Sequence, residues 1–128
     1  MKAILALVLS LMPTLIWGHS MAPGFEVEQA LTLTHQKVYT LTNDYPHPAT
    51  YKVEVFNKDM SPADGYKINK STYKLLPNSE REVKIKFKAQ GQRKLIVCST
   101  LTGIGKQDEK VGIISVVCSR YILNGISK

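Results

Sequence analysis

Apolar and polar residues alternate over several short segments of this chain, and no segment repeats apolar residues at the 3.6-residue spacing of a helix. The two clearest alternations are Val83, Ile85 and Phe87 in one segment and Tyr51, Val53 and Val55 in another. A period of two residues is typical of a strand that buries one face. Clusters of Pro, Asn, Asp and Gly separate the segments, as turns separate strands. The pattern therefore predicts an all-β protein, a single β-sandwich of about seven strands.

The first and the middle segments give weaker patterns. In residues 25–33 one face carries four apolar residues, Phe25, Val27, Leu31 and Leu33. We expect this face to point into the sandwich, with Gln29 in phase among the apolar residues. Residues 65–75 predict one or two short strands at a sheet edge.

The first twenty residues have the composition of a secretory leader. Lys2 is their only charge, an apolar run follows it, and small residues stand at Gly18 and Ser20. We therefore predict a cleaved signal peptide at 1–20 and one domain at 21–128, exported to the periplasm.

Two cleavage sites are open. Cleavage after Ser20 places small residues at both recognition positions, whereas cleavage after Gly18 would leave His19 at the new N-terminus. The apolar run of the leader is too short to span a bilayer, and no later segment approaches the roughly 18 to 20 apolar residues that a membrane helix needs. We expect no transmembrane segment.

The last two predicted strands, 93–100 and 111–123, are joined by a polar loop that contains two glycines, which indicates a hairpin. Symmetric pairing of this hairpin places Cys98 nearly opposite Cys118. An even number of cysteines in an exported chain favours disulfide formation. We therefore expect a Cys98–Cys118 bridge. A reduced pair is one alternative, and a metal site is another that would need more soft ligands than two thiols supply.

The composition is basic, with 17 Lys and Arg against 10 Asp and Glu and a formal net charge of +7. Such a surface favours acidic partners. Export and the absence of a recognisable nucleic-acid module argue against nucleic acid, which leaves anionic lipid, an acidic glycan or an acidic protein. Lys84, Lys86 and Lys88 face outward from one predicted strand. Either they protect an edge strand from pairing with other chains, or they attract an acidic partner.

Candidate catalytic residues are few. The exported domain has at most three histidines, His19, His35 and His47, and it has no Gly-x-Ser-x-Gly, phosphate-loop or zinc-ligand spacing. We therefore expect no enzyme activity, no cofactor and no metal. One alternative is open, because cleavage after Gly18 would free the amino group of His19 beside Met21. Together with His35 or His47, these groups could bind copper.

The last predicted strand is apolar on both faces. One face carries Ile114, Val116, Cys118 and Ile122, and the other carries Ile113, Val117, Tyr121 and Leu123. A central strand covered on both sides by its own chain would have this pattern. So would a strand that leaves one face for a partner, the mode called β-strand addition.

Four segments and one proline, taken in order, resemble a known family. They are Gly24-Phe25-Glu26-Val27-Glu28, then Leu41-Thr42-Asn43 with Pro48 and Tyr51-Lys52-Val53-Glu54-Val55, then Leu75-Leu76-Pro77-Asn78-Ser79-Glu80-Arg81-Glu82-Val83. The chain is similar in these segments to the N-terminal immunoglobulin-like domain of periplasmic pilus chaperones, and to the broader sperm-protein-like sandwich superfamily. The resemblance implies an immunoglobulin-like sandwich and a periplasmic location.

In that family the last strand of this domain completes the unfinished fold of a pilin subunit, and a basic residue anchors the terminal carboxylate of the subunit. The resemblance assigns the apolar contacts to Ile114, Val116 and Ile122 and the anchor to Arg120. An Arg can hold a carboxylate with two parallel hydrogen bonds. The family's partner Arg in the first strand has no counterpart, since Gln29 or a neighbour stands there. This sequence also contains no second immunoglobulin-like domain, and the bridge between the last two strands is not usual in the family.

The resemblance and the apolar final strand together predict a periplasmic protein-binding domain, a chaperone-like or accessory factor in pilus or secretion-apparatus assembly. Its partner would be another envelope or pilus protein that pairs with the last strand. The alternative is a permanent structural component of an envelope complex.

Overall fold

The computed structural model describes residues 18–105 and 115–127 of the chain. The predicted signal peptide up to residue 17 and the predicted partner-binding residue Ile114 lie outside the described residues. Within them the chain forms nine strands and no helix, so they supply no helical membrane span. The strands are β1 (His19–Ala22), β2 (Phe25–Gln29), β3 (Thr34–Asn43), β4 (Ala49–Asn57), β5 (Tyr66–Ile68), β6 (Thr72–Leu75), β7 (Glu80–Lys88), β8 (Gln92–Ile104) and β9 (Val116–Asn124).

The strands form two sheets that pack as a sandwich. One sheet has the order β1-β3-β7-β5, and the other has the order β2-β9-β8-β4-β6. All paired strands are antiparallel except β2 and β9, which run parallel. The chain changes sheets between β1 and β2, at Pro23 and Gly24, where Pro has no amide hydrogen to offer a ladder. The predicted all-β, immunoglobulin-like sandwich is confirmed, with nine strands in the described residues instead of about seven.

The residues whose alternation is clearest fill the space between the sheets. Val83, Ile85 and Phe87 of β7 are fully buried, and Tyr51, Val53 and Val55 of β4 are buried opposite them in the core. Each side chain of this kind contributes roughly 1.5–3 kcal/mol when water is excluded from it. The alternation therefore assigned the inward faces of these two strands correctly.

For the first predicted strand, which is β2 in the structure, the prediction of the inward face is wrong. Phe25 is 56% exposed and Val27 is 50% exposed, and the strand ends at Gln29, which leaves Leu31 and Leu33 in an exposed loop. The acidic residues of β2 point inward instead, because they pair with the buried side chain of a lysine on β3. An ion pair that closes the edge of the sandwich thus replaces the apolar contact that the pattern indicated.

The strand order decides which strands lie at edges. β7 lies between β3 and β5. The interpretation that Lys84, Lys86 and Lys88 protect an edge strand is therefore wrong, because both sides of β7 are already paired. The short strands β5 and β6 occupy edges of the two sheets, which confirms the edge strands predicted in residues 65–75.

β8 and β9 form the predicted hairpin. Their register pairs Cys98 with Cys118, and the two residues form a disulfide with an S–S distance of 2.05 Å and a Cα–Cα distance of 4.0 Å. The predicted bridge is therefore present. It joins two neighbouring strands on the outer face of the five-stranded sheet.

Candidate partner-binding surface

β9 has one face inside the sandwich and one face outside. The inward face consists of Val117, Ser119, Tyr121 and Leu123, and the outward face consists of Val116, Cys118, Arg120 and Ile122. Tyr121 and Leu123 are fully buried, whereas Val116 remains 47% exposed. The interpretation that its own chain covers both faces of the strand is therefore wrong for the start of β9, at Val116.

The first half of β9 also has an open edge. β8 pairs along the whole of β9, whereas β2 pairs only with its second half, from Arg120 onward. The amide of Arg120 donates to the carbonyl of Gly24 at the start of this pairing, with N and O 2.9 Å apart. Backbone groups of alternate residues point to the same side of a strand. Val116 and Cys118 therefore direct their amide and carbonyl groups to that side, where no described strand pairs with them.

The outward face continues across the sheet as an exposed apolar surface. The register places Phe25, Arg120, Ile96 and Phe56 side by side on β2, β9, β8 and β4. Arg120 Cζ lies 5.7 Å from the ring centroid of Phe25. This cation–π contact orients the guanidinium and leaves its charge uncompensated. We call the whole set the β9 outer surface, and it consists of Phe25, Val27, Phe56, Ile96, Val116, Arg120 and Ile122.

Three cations stand on this surface. Lys58, Lys94 and Arg120 surround a shallow depression that is also lined by Ile96 and Ile122. No ion pair found in the described parts of the chain involves any of the three. The depression therefore offers uncompensated positive charge beside apolar side chains, an arrangement suited to an acidic group on a partner.

Neither lysine is among the residues that the sequence singled out. For Lys94 a signal existed, because a hairpin paired at Cys98 and Cys118 must also place Lys94 opposite Ile122, as the structure does. Lys58 follows the end of β4, and no local pattern connects it to the hairpin. Only the sheet order brings it to the depression.

Solved structures share this architecture, although no protein-family model and no curated protein sequence matches the chain. A chain from the complex of the Salmonella enterica SafA pilin with the SafB chaperone superposes with a TM-score of 0.69 at 13% identity, covering 88% of this chain and 57% of that one. The E. coli chaperone DraB gives a TM-score of 0.67 at 12% identity, with 85% and 56% covered. WR4, a C. elegans MSP family member, gives 0.64 at 8% identity, with 87% and 100% covered.

This chain has the immunoglobulin-like sandwich fold of pilus chaperones and sperm-protein domains. It spans little more than half the length of the chaperones, at 56% for DraB, and the full length of WR4. At these identities the likeness establishes the fold alone. The family resemblance predicted from the sequence is therefore confirmed for the fold.

The basic pair of the pilus-chaperone family is not formed here by the first strand of the sandwich. Gln29 pairs with Asn124 at the far end of β9 from Arg120, and its side-chain amide donates to Asn124 O at 2.9 Å. Lys58 and Lys94 flank Arg120 instead. If the surface holds a carboxylate, its second cation comes from β8 or from the end of β4.

The other predicted basic group lies elsewhere. Lys84, Lys86 and Lys88 project from the outer face of the four-stranded sheet, and Arg120 projects from the outer face of the five-stranded sheet. The structure therefore separates the predicted site residues into two surfaces on opposite sides of the sandwich.

His35 is also separated from His19, whereas His47 lies near the residue that pairs with His19, since the side-chain amide of Asn43 donates to the carbonyl oxygen of His47 at 3.0 Å. His19 is buried, with Nε2 3.1 Å from the carbonyl oxygen of Ser99 and Nδ1 3.2 Å from the hydroxyl of Ser115, and burial lowers its pKa below 6.5. His35 lies about 27 Å along β3 from Asn43, the residue paired with His19. In the described ranges no three His, Cys, Asp or Glu side chains are grouped as metal ligands would be.

Proposed function

We propose that this protein is exported to the periplasm and binds another envelope protein by β-strand addition at β9, as a chaperone-like or accessory factor in the assembly of a pilus or secretion apparatus. It performs no catalysis. The observation that carries the proposal is the open edge of Val116 and Cys118 beside the exposed β9 outer surface. The fold shared with the E. coli chaperone DraB and with a chain of the SafA–SafB pilin–chaperone complex supports it.

Partner capture combines three interactions. A strand of the partner pairs with the free amide and carbonyl groups of Val116 and Cys118, which supplies backbone hydrogen bonds without regard to partner sequence. Apolar side chains of that strand cover Val116 and Phe25, whose exposed area loses water. Arg120 takes an acidic group of the partner, since a guanidinium binds a carboxylate through two parallel hydrogen bonds.

Site-specific photocrosslinking in living cells tests the location of the partner. A photoreactive amino acid at Val116 is expected to yield one dominant crosslinked envelope protein. The same amino acid at Gln36, which lies on the outer face of the other sheet, is the matched control. Crosslinks of equal yield and identity from both positions would contradict binding at β9.

Charge reversal tests the role of Arg120. Arg120→Glu is expected to reduce partner recovery on affinity purification at least tenfold without unfolding the protein, because the side chain is exposed and makes no ion pair with any described residue. Lys52→Glu, also exposed and on the same sheet, makes the same change in net charge as a control. Equal recovery with the two variants would reject an anchoring role for Arg120.

A permanent structural component would use the same edge of β9. The two functions differ in whether the bound partner exchanges with free partner. A chaperone-like factor is purified partly free of its partner and accepts added partner. A structural component is recovered as a stoichiometric complex that persists in high salt and does not exchange. Purification from the native envelope in low and high salt separates these outcomes.

The structure also bears on the cleavage site. Removal of His19 and Ser20 would take away half of β1 and the imidazole ring that contacts the Tyr51 ring in a tilted arrangement, with the centroids 4.6 Å apart. We therefore propose that the leader is cleaved after Gly18, the second of the two sites predicted from the sequence, and not after Ser20. Mass spectrometry of the mature protein is expected to show a chain beginning at His19, and a chain beginning at Met21 would contradict this.

A further inference from the structure

The outer face of the four-stranded sheet carries a second basic surface. Its lysines are Lys84, Lys86 and Lys88 of β7 and Lys67 of β5, which we call the lysine face. Lys67 pairs directly with Lys86. All four side chains are exposed, and successive lysines of β7 are about 6.8 Å apart along the strand. Four ammonium groups therefore lie on one side of a single sheet.

No acidic residue lies opposite these lysines on β3, and the acidic residues on the same face of β7, Glu80 and Glu82, both precede Lys84. The β3 residues opposite Lys84, Lys86 and Lys88 are Val38, Gln36 and Thr34. In the described parts of the chain, no ion pair involves a lysine of this face. Like charges directly opposite each other in a sheet are destabilising. Neither fold stability nor protection of an edge accounts for the lysine face, since β7 is an interior strand.

Two exposed leucines lie at one end of the lysine face. Leu31 is 88% exposed and Leu33 is 61% exposed, in the loop between β2 and β3. The carbonyl of Leu33 accepts a hydrogen bond from the amide of Ala89 at 2.7 Å, which fixes the loop beside the end of β7 where Lys88 stands. Exposed apolar side chains next to a cationic surface are the combination that peripheral membrane proteins use.

We propose that the lysine face and these two leucines dock the protein on an anionic phospholipid surface. The lysines supply attraction to the headgroups, and Leu31 and Leu33 enter the boundary between headgroups and acyl chains. The face contains lysines and no arginine, and ammonium groups act as point charges that suit a fluid array of phosphates. The inference does not depend on β9, which lies in the other sheet.

Vesicle co-sedimentation tests the proposal. The mature protein is expected to partition onto phosphatidylcholine vesicles that contain phosphatidylglycerol, and not onto phosphatidylcholine alone. Each lysine near an anionic surface changes the partition coefficient about fivefold, so the triple change to Gln at Lys84, Lys86 and Lys88 is expected to lower it on the order of 100-fold. Added salt weakens the binding, because exposed charges are screened.

Matched variants distinguish an effect of the lysine face from an effect of the net charge of the protein. The control removes three lysines that lie outside the lysine face, by changing Lys52, Lys70 and Lys74 to Gln, and it is expected to retain most of the binding. Leu31→Ser with Leu33→Ser is expected to weaken binding without altering its salt dependence. Circular dichroism establishes that each variant is folded.

One variant keeps the test decisive if the triple variant fails to fold. Lys67→Glu places an acidic residue opposite Lys86, so it is expected to stabilise the fold and to weaken vesicle binding at the same time. Equal partition onto charged and neutral vesicles, or equal losses in the lysine-face and control variants, would overturn the proposal. So would binding to polyglutamate or to a DNA oligonucleotide without binding to vesicles.

Discussion

The buried side chain of Lys37 holds the edge of the sandwich closed between β2 and β3. It is 6% exposed, its Nζ pairs with Glu26, and it lies 3.4 Å from Oε1 of Glu28. Nζ also lies 5.6 Å and 5.4 Å from the ring centroids of Tyr39 and Tyr121. Burial lowers the pKa of Lys37. These contacts make Lys37 the residue that turns the acidic face of β2 inward.

Lys37→Met is therefore expected to destabilise the protein strongly. The methionine preserves most of the apolar stem but leaves Glu26 and Glu28 without their cation. Removal of one partner of a buried ion pair costs about 3–5 kcal/mol. The two carboxylates are 44% and 31% exposed, so water can solvate them in part. We expect a loss at the lower end of that range, about 3 kcal/mol.

Urea denaturation measures this loss, and a rescue variant gives the matched control. Addition of Glu26→Gln and Glu28→Gln to Lys37→Met removes the uncompensated charges and is expected to restore most of the free energy of unfolding. In Lys37→Met alone, hydrogen exchange at the amide of Arg120, which bonds to the chain beside β2, is expected to accelerate. A loss below 1 kcal/mol, or no rescue by the two glutamines, would show that the ion pairs do not hold β2.

Three further predictions concern stability. Replacement of Cys98 and Cys118 by Ala removes a bridge between residues 20 apart in sequence and is expected to cost roughly 3 kcal/mol in urea denaturation, whereas unchanged stability would contradict a bridge in the purified protein. Asn43 is fully buried and accepts a hydrogen bond from the Tyr51 hydroxyl at 2.8 Å, so Asn43→Ala is expected to cost about 3 kcal/mol and Tyr51→Phe about 1 kcal/mol. Equal losses of stability in Asn43→Ala and Tyr51→Phe would argue against these hydrogen-bond contributions. Burial lowers the pKa of His19 from 6.5, so the contribution of the neutral imidazole to stability is complete above pH 6.5 and is lost as the pH falls below that value. Thermal unfolding as a function of pH is expected to show a smaller decline on the acid side for His19→Gln, and parallel curves would exclude His19 as the cause.

Local patterns were sufficient for the strands with one clearly apolar face. Val83, Ile85 and Phe87 are buried as their alternation indicates, because every second side chain of a strand points to the same side. The hairpin symmetry also placed Cys98 opposite Cys118. Both inferences need only the geometry of one strand or of two strands joined by a short loop.

β2 shows a property that the local pattern does not determine. Its alternation correctly separates Phe25 and Val27 from Glu26, but it does not say which face is inside. That choice depends on Lys37, which lies on the other sheet and offers the glutamates a buried cation. An apolar face can remain outside when the opposite face gains a buried ion pair.

The sequence by itself determined that this is a β-sandwich with one bridge and an apolar final strand, because strand periodicity and hairpin register are local properties. The tertiary structure alone decided that β7 is an interior strand, that the first half of β9 is paired along one edge only, and that Lys58 and Lys94 stand beside Arg120. Sheet order sets all three. It arises from pairings between strands distant in the chain, and a period of two residues carries no information about which strand lies next to which.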